Sequence, residues 1–398
     1  MLTLDKVYHA SYILKEVIRR TDLIPAPALN PEAEIYLKPE NLQVTGSFKI
    51  RGAYYKMSLL SEEEQKRGVI ACSAGNHAQG VALAAQRKGI HATICLPDGA
   101  PISKVEATRR YGAEICLVPG VYDDAYQKAL ELRDEKGYTF IHPFNDEDVI
   151  AGQGSIGLEL LEQLAGVDAV IIPIGGGGLI SGTAFAIKSL NPSCKVYGVQ
   201  AAGASAMFNS IHDGHAETLS SVSTFADGIA VKCPGDLTYD LCSQYVDDIV
   251  TVTDDEIATA ILTLIEQYKL IAEGAGAVSV AAAMFNKVPV QGKKTICLVS
   301  GGNIDVTILS RVITRGLLKT GRSLDITLAL SDRPGQLSLV SEIIAKHGGN
   351  VVSVYHDRSD LDMKVTDCFL RLSLETRDHS HASEIVSALT AAGITVIK

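Results

Sequence analysis

Four consecutive glycines, Gly175-Gly176-Gly177-Gly178, follow the apolar run Ala169–Pro173 and precede the helical pattern Leu179–Asn191. Such a run gives up backbone entropy and contributes no side-chain packing. Between a strand and a helix it reads as bare backbone that cradles a phosphate. It is not a Walker A loop, because no Lys-Ser/Thr follows it. A dinucleotide G-x-G-x-x-G pattern fits it only trivially. The same glycines, with Pro173, break the most apolar stretch of the chain, Asp168 to Ile187, and exclude it as a membrane span.

Around the glycine run, short apolar or β-branched segments alternate with longer helical patterns. The expected strands are 34–38, 68–72, 91–96, 114–118, 139–141, 169–173, 195–199, 249–252 and 295–299. The expected helices are 47–57, 76–88, 102–111, 121–135, 150–164, 179–191 and 254–267. This alternation implies parallel sheets covered by helices. Asp254-Asp255-Glu256 places three acids at a helix start, where the macrodipole favours them. The N-terminal 21 residues pattern as an amphipathic helix and not as a signal peptide.

After about Leu324 the pattern changes to strand 324–330, turn, helix 337–347, strand 350–357, strand 366–375, helix 381–392 and strand 394–397. That is βαββαβ, a ferredoxin-like unit. Residues 315–323 read as the linker before it. The 398 residues suggest two or three domains at roughly 100–200 residues each. A formal charge of 36 − 46 = −10 argues against nucleic-acid binding, which needs excess Lys and Arg. Eight cysteines without a CxxC pair read as reduced thiols of a cytoplasmic protein.

Three further motifs fall at strand ends. Thr45-Gly46-Ser47-Phe48-Lys49 puts a lysine at a loop-to-helix junction. It is either structural or, if its amine is desolvated, a Schiff-base lysine. Ser73-Ala74-Gly75-Asn76-His77 follows a strand and opens a helix, a ready anion site. Asn76 there can be a simple helix start and His77 a packing histidine. Ser300-Gly301-Gly302-Asn303 follows the strand 295–299, where ligands of open α/β sheets bind. A reactive lysine, an anion loop, a phosphate cup and a serine are together the parts of a pyridoxal-phosphate site.

In these motifs, over about residues 5–320, the sequence resembles the fold-type II pyridoxal-phosphate enzymes, most closely the threonine ammonia-lyases. The resemblance implies an α/β fold, tryptophan synthase β-like, with two subdomains of parallel sheet. The catalytic domain would span residues 1–320, with a smaller subdomain at roughly 46–150. It implies that Lys49 holds pyridoxal 5′-phosphate as a Schiff base and, once freed, acts as the base at Cα. Phe48 would lie against the ring, Asn76 would bond its 3-hydroxyl, and Ser300 would meet its nitrogen. Gly175, Gly176, Gly177, Gly178 and Leu179 would hold the phosphate, and Gly228 would leave room beside the cofactor. Ser73, Ala74, Gly75, Asn76 and His77 would take the substrate carboxylate, largely through backbone N–H groups. Glu273 would either orient substrate or ring, or simply begin a packed helix. A serine at the ring nitrogen, unlike an aspartate, does not enforce protonation there, which suits prompt β-elimination. Serine racemases of the family carry a second serine where this chain has Ala74, so dehydration with little racemisation is expected.

The implied reaction is L-threonine to 2-oxobutanoate and ammonia, with L-serine as a second substrate. A serine dehydratase, a serine racemase and a non-catalytic amino-acid sensor are the alternatives. Asp332-Arg333-Pro334-Gly335 and His347-Gly348-Gly349-Asn350 resemble an ACT regulatory domain at 324–398. Pro334, Gly335 and Asn350 are its candidate contacts for an amino-acid or nucleotide effector. Paired ACT domains imply a homodimer or homotetramer. No metal ligands are assignable, and neither a membrane nor a nucleic-acid partner is expected.

Overall fold

The computed structural model describes residues 1–360 and 364–397. It divides into two compact units, Met1–Val306 and Thr307–Lys398.

The apolar run Ala169–Pro173 is buried along its whole length, as a strand inside a parallel sheet must be. Its sheet has six strands, in the order Ile24–Pro25, Glu34–Pro39, Lys294–Val299, Ala169–Pro173, Lys195–Ala201, Asp248–Val252. All neighbours are parallel except the first pair. That antiparallel edge strand, Ile24–Pro25, was not anticipated. Its two residues are too few to show a period. Helix Gly178–Leu190 packs Ile180, Ala184 and Ile187 with Val170, Ile172, Ile296 and Leu298 of this sheet. Helix Gly274–Met284 lies against the sheet too, with Ser279 Oγ donating to Leu298 O at 2.7 Å.

A second, smaller sheet has four parallel strands in the order Glu114–Val118, Ala92–Pro97, Val69–Cys72, Thr139–Phe140. Val69, Ala71, Ile94 and Leu96 share a core with Ile50, Ala53 and Met57 of helix Lys49–Ser58 and with Val81, Ala82 and Ala85 of helix Asn76–Lys88. Gly89, at φ +67, ends the latter helix in the left-handed conformation that glycine adopts without steric penalty.

Helix Lys49–Ser58 is pinned on two sides. Against helix Glu147–Gln163 the contact is glycine to glycine, since a Cβ on Gly152 would stand 2.7 Å from Gly52 Cα. On the other side, a Cβ on Gly80 would meet Lys49 C and Ile50 N at 3.1 Å, so only glycine lets helix Asn76–Lys88 come this close. Beneath these crossings lies a buried charge cluster. Arg51 donates to Glu40 at 2.8 Å and to Glu159 at 2.6 Å, and Lys38 donates to Glu159 at 2.6 Å.

The expected linker at 315–323 is a correction. Helix Val306–Lys319 runs through most of it and belongs almost entirely to the second unit. Its apolar positions, Ile308, Leu309, Val312, Ile313 and Leu317, recur at helical spacing, a signal that the linker reading missed. The expected helix 254–267 is α-helical only to Thr263, then passes through a π-helical turn, Leu264–Tyr268. Helices Ala206–Asp213 and Asp236–Tyr245 were not anticipated.

The second unit is an antiparallel four-stranded sheet ordered Asn350–Asp357, Asp367–Glu375, Ser323–Ser331, Thr395–Val396. This is the ferredoxin-like order of a βαββαβ unit. Alternate residues are buried on the central strands, Ile326, Leu328 and Leu330 on one and Cys368, Leu370, Leu372 and Leu374 on the other. Helices Gln336–Lys346 and His379–Ala391 cover that face with Val340, Ile344, Ile385 and Leu389.

Candidate active site

Between the two parallel sheets of the first unit lies a cavity of about 710 Å³, and every motif singled out in the first unit reaches it. Phe48 and Lys49, the segment Ser73–His77, the run Gly175–Leu179, Gly228, Glu273 and Ser300 all line it.

Lys49 is the first residue of its helix. Its Nζ donates to Pro143 O at 2.8 Å and lies 5.3 Å from the centre of the Phe48 ring. Desolvation lowers its pKa to about 8, against an opposing pull from the Glu273 charge. A substantial fraction of the amine is therefore neutral near physiological pH, which a nucleophilic or basic lysine requires. Phe48 is buried, and its N–H donates to Ser300 O at 3.1 Å. Ser300 Oγ, also buried, donates to Ala275 O at 3.3 Å.

The glycine run follows the central strand and becomes the N-terminus of Gly178–Leu190. Gly177 takes φ +95, a conformation open to glycine. A Cβ on Gly176 would enter the Phe144 ring. One on Gly177 would meet Thr238 Cβ at 2.7 Å, one on Gly178 Phe144 Cα at 2.8 Å, and one on Gly175 Ile229 Cα at 3.0 Å. Packing thus keeps all four positions bare and presents only backbone to the cavity. Thr238 Oγ1 donates to Gly176 O at 2.6 Å and braces the loop from behind. A second helix N-terminus, that of Asn76–Lys88, opens on the same cavity through Gly75–His77. Two helix starts supply two anion sites, and Lys49 is the amine beside them. Ser73 Oγ accepts from Gly75 N at 3.1 Å and shapes the turn between strand and helix.

His77 contributes backbone only. Its imidazole is buried and bonded to Ile141 O at 2.8 Å. Burial, and then the Lys49 charge, push its pKa down to about 3. Ala74 presents a methyl to the cavity wall. A Cβ on Gly228 would meet Ala275 Cβ at 3.0 Å, so this wall too is kept thin.

Asn76 is held on both sides of its amide. Its Nδ2 donates to Glu273 Oε1 at 2.5 Å, and its Oδ1 accepts from Asn303 Nδ2 at 2.6 Å. Asn303 Nδ2 also donates to Thr45 O at 2.9 Å, tying the lysine loop to the strand end. Glu273 is 4% exposed, and burial with the Asp227 charge raises its pKa to about 7. It therefore exchanges protons near neutrality. Glu273 also caps the start of the packed helix Gly274–Met284, which is one of the two readings expected for it.

Sequence reasoning passed over His142 and Phe144. His142 Nδ1 accepts from Phe144 N at 3.2 Å and Asn145 N at 2.8 Å, and burial holds its pKa at about 4. The turn so formed sets Phe144 against the glycines. Asn303 had a signal, as the last residue of the motif Ser300-Gly301-Gly302-Asn303, but no role was assigned to it. His142 and Phe144 had none, because their role depends on a contact between the two lobes.

In the second unit, Pro334 and Gly335 line a cavity of about 380 Å³ with Asp332, Arg333, His356 and Arg358. Gly335, at φ +92, leads into helix Gln336–Lys346. Asn350 does not join them within one chain. It pairs with Glu375 at the far end of the sheet, whereas Ser331, just before the turn, pairs with Asp367. Its amide donates to Glu375 Oε2 at 2.8 Å.

Two facing parallel sheets, a desolvated lysine, a bare phosphate cradle and a second helix start define an enzyme that works through a phosphorylated carbonyl cofactor. The residues fit pyridoxal 5′-phosphate, since the cradle takes the phosphate and the lowered amine can bond the aldehyde. Residues 14–302 match the model of the pyridoxal-phosphate dependent enzyme family. The chain belongs to that family. It is 52% identical, over 100% of its length and 99% of the relative's, to L-threonine ammonia-lyase of Thermotoga maritima. It superposes on the processed form of threonine deaminase isoform 2 from Solanum lycopersicum with a TM-score of 0.74 at 40% identity, covering 78% of this chain and 92% of that one. Maize serine racemase gives a TM-score of 0.75 at 35% identity, covering 80% and 98%. Lyases and racemases thus share this scaffold, and the chemistry is decided by side chains. Among the described residues, no helix is long and apolar enough to cross a membrane.

Proposed function

We infer that the protein is a pyridoxal-phosphate dependent lyase that converts L-threonine to 2-oxobutanoate and ammonia, with L-serine as a second substrate. The observation that carries this reading is one desolvated amine, Lys49, lying beside two helix N-termini on a single cavity. Full-length similarity to a threonine ammonia-lyase supports the choice of substrate.

Pyridoxal 5′-phosphate, when bound, supplies an electron sink for the bonds at the substrate's α-carbon. The chain's residues do the rest. The backbone of Gly175–Leu179 would hold the phosphate. Asn76 would meet the 3-hydroxyl, Ser300 Oγ the ring nitrogen, and Phe48 would back the ring. The N–H groups of Ser73–His77 hold the substrate carboxylate and fix the face on which Cα stands. Lys49 Nζ would be the point of attachment for the aldehyde and the base beside the substrate's α-proton. Ala74 offers no second base, which favours elimination over racemisation. An intact Lys49 and glycine cradle speak against a purely sensory protein.

The second unit is assigned here as an ACT regulatory module, with Pro334 and Gly335 of one copy and Asn350 of another as effector contacts. That pairing makes the protein a homodimer or larger homo-oligomer. Its eight cysteines, none of them in a disulfide, fit the cytoplasm.

The test is 2-oxo acid release from L-threonine and L-serine, with and without isoleucine, valine and adenine nucleotides. Activity on threonine that an effector shifts supports the whole reading. A purified holoenzyme that releases no 2-oxo acid from either substrate overturns it.

A further inference from the structure

One pair at the edge of the cavity touches neither substrate nor cofactor in the reading above, and enters it only through its charges near Glu273. Lys104 stands in the first turn of helix Ile102–Arg109, on the side of the smaller sheet. Its Nζ forms an ion pair with Asp227 Oδ2, in the wall segment Asp227–Ile229 on the side of the larger sheet. Both residues line the cavity. The Lys104 side chain is 15% exposed and that of Asp227 is 59% exposed, so the ammonium is largely out of water while its partner stays hydrated.

What the pair joins gives it meaning. Helix Ile102–Arg109 follows strand Ala92–Pro97, whose Cys95 is registered with Cys72, the residue before the Ser73–His77 loop. Asp227 precedes Gly228, and a Cβ there would stand 3.5 Å from Glu273 Oε1, the carboxylate that holds Asn76. The pair therefore fastens the lobe with the carboxylate-binding loop to the lobe with the phosphate cradle. Taken together its charges cancel at a distance, so it adds little net attraction for an anionic substrate.

We propose that Lys104 and Asp227 form a positioning latch that keeps the two walls of the cavity in register around the amino-acid substrate. This rests on the threonine-lyase reading of the cavity. Neither residue touches the reacting atoms, and both act through the loops they join.

The test uses the holoenzyme and the variants Lys104→Met, Asp227→Asn, their double, and the charge swap Lys104→Asp/Asp227→Lys. A partly exposed pair is worth about a two- to fivefold effect. Each single variant should therefore raise KM for L-threonine about two- to fivefold, with kcat changed less and the absorption of the bound cofactor unmoved. The double variant should be no worse than the worse single one, because the two changes remove one interaction. The swap should restore KM. Hydrogen exchange without substrate should quicken at residues 102–109 and 226–229 in both single variants and return in the swap. If Asp227→Asn lowers KM while Lys104→Met raises it, the residues merely attract or repel the carboxylate and the latch is wrong. Additive effects in the double variant, or unchanged exchange, overturn it equally. If the native enzyme releases no 2-oxobutanoate, the functional reading fails, and the exchange experiment still decides whether the lobes are latched.

Discussion

Replacing Arg51 by methionine removes the centre of the buried charge cluster beneath the lysine helix. Arg51, Lys38 and Glu40 are fully buried, and Glu159 is nearly so. Two cations and two anions balance there. Without Arg51 the sum is 1 − 2 = −1, with Glu40 left bonded only to Thr21 Oγ1 among its hydrogen bonds. Glu159 keeps Lys38, and Ser155 Oγ loses its 3.0 Å donor. Breaking a buried ion pair on one side costs about 3–5 kcal/mol. At about 2 °C per kcal/mol for a unit of this size, the unfolding midpoint should fall by roughly 6–10 °C. The measurement is thermal unfolding of the cofactor-free protein by far-UV circular dichroism, since bound cofactor would add stability by mass action. The pH dependence adds a sign. Burial alone would raise the Glu159 pKa, but Arg51 and Lys38 hold it below the ordinary carboxylate range. Its contribution is thus fully present above about pH 4.3 and is lost as pH falls through the depressed value. The deficit of the variant should therefore shrink in acid. A fall of less than about 2 °C at neutral pH, or a deficit that grows in acid, would refute this account of the cluster.

Three other outcomes are expected. Gly176→Ala forces the Phe144 ring to move, and overpacking of this kind costs about 1–3 kcal/mol. The dissociation constant for pyridoxal 5′-phosphate, measured by titration of the apoenzyme, should rise about fivefold to a hundredfold. The native enzyme should form D-serine from L-serine far more slowly than it releases 2-oxo acid, and Ala74→Ser should narrow the gap; chiral chromatography of the products checks both. Because only the neutral amine of Lys49 attacks an aldehyde and its pKa is lowered to about 8, loading of apoenzyme should quicken as pH rises toward 8 and level off above it. Stopped-flow absorbance reads that rate, and a pH-independent rate would contradict the lowered pKa.

Features with a local cause were legible in the sequence. The glycine run, the buried strand Ala169–Pro173 and the helix Asn76–Lys88 carry their reasons in their own residues, and the structure has the strand and helix with the expected bounds. The alternation of the C-terminal strands showed the ferredoxin-like unit in the same way. Features made by contact between distant segments were not legible. Phe144 owes its place to the absence of Cβ atoms at Gly176 and Gly178, more than thirty residues on. Arg51 looks like a surface residue of an amphipathic helix until Glu40 and Glu159 arrive from elsewhere in the chain. Where Asn350 stands relative to Pro334 is likewise set by pairing between strands. Strand direction carries it to the opposite end of the sheet.

The central claim is that one amine, at position 49, is the point of covalent attachment for the cofactor. Borohydride reduction of the holoenzyme, followed by peptide mass analysis, tests it directly. The account predicts a single reduced pyridoxyl-phosphate adduct on Lys49, absent from a Lys49→Ala variant that also releases no 2-oxobutanoate. An adduct on another lysine, or a Lys49→Ala enzyme with native turnover, would contradict it.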